Sequence, residues 1–210
     1  MLQWNYYQPT ELEKDIAALY RSIGIGNPED IDPELISARL NIKLLYKDDI
    51  VPFFHENNRG RFIGLDKRLP ASQQHIDFFH ELGHLIRGHD GDQSTLPFLF
   101  RELQEEQVEH FIKYALMPYY MIKQLKVPEY ERDFPYVIAS TFNVQLDLAK
   151  ERWEQIKRRI STGKWEQECI ERERSRYRKT SPANWCPEAK AMFRLAIDGK
   201  MKKGQGVIIR

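Results

Sequence analysis

Residues 77–90 read DFFHELGHLIRGHD, a stretch in which three histidines and three carboxylates interrupt an apolar helical pattern. The apolar positions recur at steps of three and four residues, as in an amphipathic helix, and comprise Ile76, Phe79, Gly83 and Ile86. Residues four apart lie one turn above each other on a helix, so His80 and His84 are directed to one location beside this stripe. Imidazoles at the edge of a core are costly unless they are satisfied, and the stretch therefore predicts a bound ligand.

A zinc ion satisfies two imidazole nitrogens at once, at about 2.0–2.1 Å from each nitrogen. Glu81 is rotated by about 100° around the helix from His80, so it is expected to stand beside the ion and need not coordinate it. Its carboxylate is expected to act as a general base that takes a proton from water activated by the metal. The HELGH stretch thus has the HExxH spacing of zinc peptidases, with His80 and His84 as ligands and Glu81 as the catalytic group.

A catalytic zinc ion needs a third protein ligand, and its fourth position stays open for water. Residues 101–118 predict a helix whose apolar face includes Val108, and Glu105 lies one turn earlier on that face. A core-facing carboxylate without a partner is costly, so Glu105 is the first candidate for the third ligand. Glu109 shares the same edge and is the second candidate. Asp90, six positions after the second histidine, is the third.

The segments around these two helices predict a mostly helical domain with a small sheet. Helical spacing, caps and breakers place helices at residues 11–25, 32–40, 70–87, 98–117, 119–126, 134–161, 164–180 and 187–197. Residues 41–46 are expected to form a strand. Residues 51–56 and 61–66 are expected to form a hairpin around the turn at residues 57–60. The strand at residues 61–66 is expected to offer an exposed edge to an extended substrate segment.

Two blocks of the sequence resemble the ImmA/IrrE-type zinc metallopeptidase family. One block is HELGH at residues 80–84. The other follows the pattern ExxxxxFxxxxLMP and comprises Glu105, Phe111, Leu116, Met117 and Pro118. Residues 141–153 also resemble a later helical segment of the family, and the resemblance covers about residues 30–155.

The resemblance implies an α+β fold, namely a mostly helical, zincin-like domain with a small sheet, in which Glu105 is the third zinc ligand. It also implies a zinc-dependent endopeptidase that cleaves a helix-turn-helix transcriptional repressor, of the kind encoded in mobile elements or stress-response loci. A regulator or activator protein is a further expected partner. Val108-Glu109 replaces the Ala-Asn of the family pattern, so Glu109 stays an alternative ligand.

Other polar side chains are candidates for a further role in catalysis or for positions at the surface. A peptidase needs a donor for the oxyanion that develops during hydrolysis, and the candidates are His55, Tyr46 and Tyr114. Three further histidines are expected to be solvated at the surface, namely His75, His89 and His110.

Charge is distributed unevenly along the 210 residues, although the overall composition is that of an ordinary globular protein. Residues 150–210 contain 17 Lys/Arg and 8 Asp/Glu, a net charge of +9, whereas residues 1–149 contain 15 and 23, a net charge of −8. The basic region is interpreted either as a solvated charged surface or as a surface for an acidic partner or nucleic acid. It is also a candidate recognition module that holds the repressor, or its DNA, near the zinc.

These patterns divide the chain into three expected segments. Residues 1–125 form the metallopeptidase domain, residues 126–162 a helical extension of it, and residues 163–210 a basic helical region of unassigned role. No apolar run is long enough to span a membrane, and the N-terminus carries no visible secretory signal. Cys169 and Cys186 form no CxxC pair and are expected to be reduced, so a cytoplasmic protein is expected.

In a second hypothesis for function, the protein binds zinc but cleaves no substrate. It is a zinc-bound regulator that binds a protein partner or nucleic acid through the basic clusters at residues 157–159 and 171–180. A structural zinc site normally has four protein ligands and no use for a glutamate at position 81. The peptidase is therefore the preferred hypothesis, and direct nucleic-acid binding is not favoured.

Overall fold

The computed structural model describes residues 3–58, 60–89, 97–176 and 184–203. The chain forms two compact units, Met1–Lys164 and Trp165–Arg210. The first unit contains the sheet, the histidine-bearing helix and the hydrophobic core. Among the described residues, no helix has both the length and the apolar character needed to cross a membrane.

The helices follow the predicted order along the chain. They are α1 (Glu11–Ser22), α2 (Pro33–Leu40), α3 (Ala71–Arg87), α4 (Phe98–Leu116), α5 (Tyr119–Ile122), α6 (Phe134–Phe142), α7 (Leu146–Arg176) and α8 (Pro187–Lys202). Helix α2 begins as its sequence predicts, because the Asp32 side chain accepts a hydrogen bond from the Leu35 N–H and Pro33 occupies the first turn. The predicted α+β fold is confirmed.

The prediction of one helix over residues 134–161 is wrong, because the chain turns at Asn143. This residue adopts a left-handed conformation with φ of 51° and ends α6, a role for which asparagine is well suited. Helix α7 then continues through residues 162 and 163, so the predicted break between helices at residues 134–161 and 164–180 is wrong. A Cβ atom at Gly163 would lie 2.1 Å from the Tyr6 carbonyl oxygen, so this glycine allows close packing and does not end the helix.

The sheet has three strands, β1 (Ile42–Lys47), β2 (Phe53–Asn57) and β3 (Gly60–Asp66), in the order β1-β3-β2. Strands β2 and β3 form the predicted antiparallel hairpin, and β1 pairs with β3 in parallel. Strand β3 is therefore paired on both edges, and the prediction of an exposed edge at residues 61–66 is wrong. In the described part of the chain, β2 carries the open edge on the hairpin side.

The core lies where α3 packs against the sheet and α4. The buried side chains of α3 include Phe78, Phe79, Leu82 and Leu85. Ile86 is 39% exposed, so its predicted place in the buried stripe is wrong. The buried face of α3 is rotated relative to the predicted stripe. The reason is that α3 contacts both β-strands of the hairpin and also α4, whereas the sequence pattern was interpreted as a single buried face.

A buried ion pair joins α1 to α7 in the first unit. The guanidinium of Arg152 lies 2.6 Å from the Glu13 carboxylate, and their side chains are 0% and 1% exposed. Arg159 also donates to Glu13, and Arg152 donates to the Met117 carbonyl at 3.2 Å. This network connects the C-terminal end of α4 to α1 and α7, since Met117 directly follows α4.

The second unit contains α8, a helix without a buried residue. The Trp185 ring packs edge-on against Phe193, with 5.1 Å between the ring centroids. Met192 and Leu195 are each 72% exposed. The described part of this unit therefore presents apolar side chains to solvent.

Candidate metal centre

Two histidines from α3 and one glutamate from α4 place their ligand atoms close together. The Nε2 atoms of His80 and His84 lie 3.1 Å apart. The Glu105 carboxylate oxygens lie 3.5 Å from each of these nitrogens. In a tetrahedral zinc site with ligand distances of about 2.0–2.1 Å, ligand atoms are about 3.3–3.4 Å apart. The three residues thus have the spacing and the donor chemistry that a zinc ion requires.

Among the described residues, His80, His84 and Glu105 are the one group of histidines, cysteines and carboxylates with this spacing. Glu109 is exposed and lines a groove next to Glu105, but it does not join the group. Asp90 lies outside the described residues. The geometry therefore favours Glu105 over Glu109 as the third ligand.

The close approach of α3 and α4 depends on Gly83. A Cβ atom at this position would lie 3.0 Å from the Phe111 ring and 3.1 Å from a Val108 methyl group. Both distances are tighter than ordinary carbon contacts, so a larger residue would push the helices apart. Glu105 lies one turn before Val108 on α4. The contact between Gly83 and Val108 therefore also sets the distance of Glu105 from the two histidines.

Glu81 belongs to α3, and its carboxyl group lies beside the ligand atoms and next to β2. Burial raises the pKa of its carboxyl group, a hydrogen bond from the backbone N–H of Phe54 lowers it, and the nearby carboxylate of Glu105 raises it, so that the pKa is about 7. Its residue exposure is only 8%. Glu81 is thus a shielded carboxyl group that is oriented by the strand next to it.

Strand β2 also covers His84. The Phe54 ring stacks on the His84 imidazole, with 5.8 Å between centroids and 6° between the planes. The His84 side chain is 3% exposed. Burial lowers the pKa of His84, and together with the neighbouring His80 and His89 it brings this pKa to about 4. A neutral imidazole retains the lone pair that a metal ligand needs.

The prediction that three further histidines are solvated is wrong. His89 lies against His84, with 2.9 Å between their Nδ1 atoms. His75 packs on Phe79, and one ring nitrogen of His75 and one of His110 are shielded from solvent.

The sequence contains a signal for the position of His89. Gly88 has φ of 67° and ends α3 in a left-handed conformation. The His89 N–H donates to the His84 carbonyl at 3.0 Å, as in a glycine-terminated helix end. This turn folds the chain back over the last helical turn, next to His84.

The three candidate oxyanion donors are not favoured by the structure. The Tyr114 hydroxyl is buried and accepts hydrogen bonds from Arg159 and Gln155. Tyr46 bonds to Glu34, and burial together with this bond raises the pKa of Tyr46 to about 12. Side chains alternate along a strand, so His55 faces the side of β2 opposite to Phe54 and α3.

The fold and the site define an α+β domain whose candidate metal centre is formed by two histidines of one helix and a glutamate of the next. The chain belongs to the family of the IrrE N-terminal-like domain, a peptidase family whose model matches residues 38–154. The resemblance drawn from HELGH and the Glu105 block is thereby confirmed, and the matched range includes all three candidate ligands.

Two proteins of Bacillus subtilis (strain 168) are similar to the chain. The uncharacterized protein YqaB is 32% identical over 147 residues, which cover 70% of this chain and 84% of YqaB. The phage-like element PBSX protein XkdA is 30% identical over 150 residues, which cover 71% of this chain and 75% of XkdA.

Proposed function

We propose that the protein is a zinc-dependent endopeptidase. The observation that carries the proposal is the convergence of His80, His84 and Glu105 beside the shielded carboxyl group of Glu81. The three ligands would hold Zn²⁺, which supplies a Lewis acid for the peptide carbonyl and makes water a nucleophile at neutral pH. Membership of a peptidase family supports this reaction.

Glu81 is the group that moves protons in this proposal. It takes a proton from the attacking water and transfers it to the leaving amine. The Phe54 N–H holds the carboxylate in place, and burial excludes competing solvent. His80 and His84 have no part in proton transfer, because their Nε2 lone pairs are directed to the metal position.

The open edge of β2 is the proposed site for the peptide substrate. Along an antiparallel strand, backbone groups face the paired neighbour and the opposite side in alternation. The Phe54 N–H donates to Glu81 and so faces away from β3. By the same alternation, the Phe54 carbonyl and both backbone groups of Glu56 face the open edge. An extended peptide can add there as a further strand, directly beside Glu81.

The proposed substrate is a helix-turn-helix transcriptional repressor. The family resemblance favours this class of substrate, and the similarity to a phage-like element protein agrees with a role in the control of a mobile element. An extended linker of the repressor would enter along β2. The cleaved repressor would then lose the link between its DNA-binding part and the rest of its chain.

The test is cleavage of the repressor encoded nearest to the gene, with the zinc-loaded full chain and mass spectrometry of the products. Glu81→Gln, which keeps the size and the hydrogen-bonding shape of the side chain, is the inactive control. Discrete fragments with wild type alone would establish the peptidase and identify the cleaved bond. Fragments of equal yield from Glu81→Gln would refute the role of Glu81.

A second candidate function is a zinc-bound regulator that binds a partner without cleavage. The apolar and basic surface of α8, with exposed Met192 and Leu195 beside Arg194, favours a binding role for the second unit. Intact repressor together with one bound zinc per chain, and repressor binding that persists in Glu81→Gln, would support this function over the peptidase.

A further inference from the structure

The first two turns of α4 carry a cluster of exposed apolar side chains. This α4 patch comprises Phe98, Leu99, Phe100 and Leu103, whose exposed fractions lie between 47% and 77%. In the described part of the first unit, no other stretch of this length exposes as many large apolar side chains. Single exposed apolar residues are ordinary, whereas a contiguous apolar patch marks a surface that binds a partner.

The α4 patch continues into the candidate metal centre. Phe98 lines a groove of about 440 Å³ together with Glu102 and the candidate ligand Glu105. Residues four apart lie one turn above each other on a helix, so Leu99 and Leu103 form a second row beside the row of Phe98 and Glu102. A polypeptide that passes the metal position and continues toward the beginning of α4 therefore covers the α4 patch.

The charge around the α4 patch indicates the chemistry of its partner. Glu102 and Glu109 are exposed in the same groove as Glu105, and carboxylates in this groove outnumber the basic side chain of Arg101. Residues 1–149 are acidic as a whole, with 23 Asp/Glu and 15 Lys/Arg. Proteins that bind DNA carry Lys and Arg for contacts with phosphate, so a repressor has the basic side chains that complement this surface.

We propose that the α4 patch is a docking surface for the protein substrate, and that it binds a segment in which apolar residues are flanked by Lys or Arg. The inference rests on the proposed function, because it takes the repressor as the occupant. Apolar side chains of the segment pack on Leu99 and Leu103, and its basic side chains lie near Glu102. Docking beside the metal centre raises the local concentration of the peptide bond to be cleaved.

The test measures binding of the repressor encoded nearest to the gene by titration calorimetry, with the zinc-loaded full chain that carries Glu81→Gln as the parent protein. Leu99→Gln combined with Leu103→Gln removes the apolar contact and keeps good helix formers at both positions. Glu102→Lys reverses one charge of the groove. Tyr136→Gln, at an exposed position of α6, is the matched control. Circular dichroism checks folding, and light scattering measures the oligomeric state.

We expect the double leucine substitution to raise the dissociation constant of the repressor about tenfold or more. Glu102→Lys should also raise it, by a factor that shrinks as salt is added, and this variant carries the test if the double variant is unfolded. Tyr136→Gln should bind as the parent does. Equal affinities of the parent and the folded double variant, or no binding to the parent, would overturn the inference.

The oligomeric state tests another occupant of the α4 patch. A dimer of the parent protein that the double leucine substitution dissociates would overturn the inference and assign the patch to a second copy of the chain.

Hydrolysis is measured separately with Glu81 intact. The double leucine substitution should raise KM for the intact repressor more than KM for a short peptide that spans the cleaved bond. Cleavage of the repressor with the same KM in wild type and the double variant would refute the docking surface and leave the peptidase standing. Repressor that binds through the α4 patch but stays intact would refute the peptidase and leave the docking surface standing.

Discussion

The backbone N–H of Phe54 donates a hydrogen bond to the carboxylate of Glu81. This bond joins the edge strand, where the substrate is proposed to bind, to the residue proposed to move protons. Because the donor belongs to the backbone, substitutions of the Phe54 side chain leave it in place, and proline is the substitution that removes it.

Phe54→Pro should therefore lower kcat more than Phe54→Ala does. The Phe54 N–H faces away from β3, so proline at this position removes no hydrogen bond from the sheet. Phe54→Ala removes the ring over His84 but keeps the donor. We expect roughly a tenfold or larger difference in kcat between the two variants. Equal activities, measured on a peptide that spans the cleaved bond, would show that the donor does not position Glu81.

Glu81→Gln should abolish turnover while it preserves zinc binding. Loss of a positioned general base costs typically 10²–10⁴-fold in rate, and the amide neither takes up the proton nor coordinates the ion. Steady-state kinetics and metal analysis of the same sample measure the two effects. Glu106→Gln, on the solvent-facing side of α4, is the matched control and should retain activity.

Glu105→Ala and Glu109→Ala should differ in zinc content. In the part of the chain that the structure describes, Glu105 alone brings a carboxylate within 3.5 Å of both histidine nitrogens, so its removal leaves two ligands, which is one fewer than a catalytic zinc site normally has. We expect one zinc per chain in Glu109→Ala and strongly reduced zinc in Glu105→Ala after dialysis. The reverse pattern, measured by atomic emission, would make Glu109 the ligand.

Gly83→Ala should weaken both folding and zinc binding. The added methyl group meets Phe111 and Val108 at 3.0–3.1 Å, and overpacking of this kind costs about 1–3 kcal/mol. Urea unfolding measures the loss of stability, and chelator competition measures the affinity for Zn²⁺. Ser72→Ala, at an exposed position of the same helix, is the control. Unchanged zinc affinity in Gly83→Ala would show that α3 and α4 tolerate a wider separation.

Glu13→Gln should destabilise the protein most at neutral pH. Burial raises the pKa of Glu13, but Arg152 and hydrogen bonds from Tyr7 and Thr10 outweigh it, and the net pKa is lowered from 4.5. The ionised carboxylate therefore stabilises the fold above about pH 4.5, and this contribution is lost as the pH falls through the folded-state pKa. Removing one partner of a buried ion pair costs about 3–5 kcal/mol.

Urea unfolding at pH 7 and at successively lower pH values checks this dependence. The stability difference between wild type and Glu13→Gln should shrink as the pH falls below about 4.5, because wild type then loses the same charge. Glu11→Gln, which removes an exposed pair with Lys14, should change stability little at any pH. A difference that stays constant with pH would contradict a charged role for Glu13.

The parts of the fold that local spacing determines could be predicted from sequence. HELGH has helical spacing, which places His80 and His84 on one side of α3, and Glu105 lies one turn before the buried Val108 on α4, so local periodicity was enough to predict these three positions. The asparagine and glycine residues around position 58 likewise indicated the hairpin. In each case the residues involved are close in sequence, and their arrangement depends on the geometry of one element.

The features that were missed depend on contacts between distant segments. Glu13 and Arg152 are 139 residues apart in the chain, and neither has a local signal for the ion pair. The parallel pairing of β1 with β3 moved the open edge to β2, and periodicity within a strand does not report its neighbours. Glycine commonly ends a helix, so the pattern around Gly163 was interpreted as a break. The close contact with Tyr6 that explains a glycine inside the helix is not visible in the sequence.

The open edge of β2 has a consequence for the behaviour of the protein at high concentration. The open edge of a strand can pair with any extended segment, including the same strand of another molecule. Such pairing is a common starting point for aggregation. Glu56 places a charge on this edge and forms an ion pair with Arg61 at 2.9 Å. That charge hinders edge-to-edge association of two copies. Neutral substitutions at position 56 should therefore increase aggregation of the protein at high concentration.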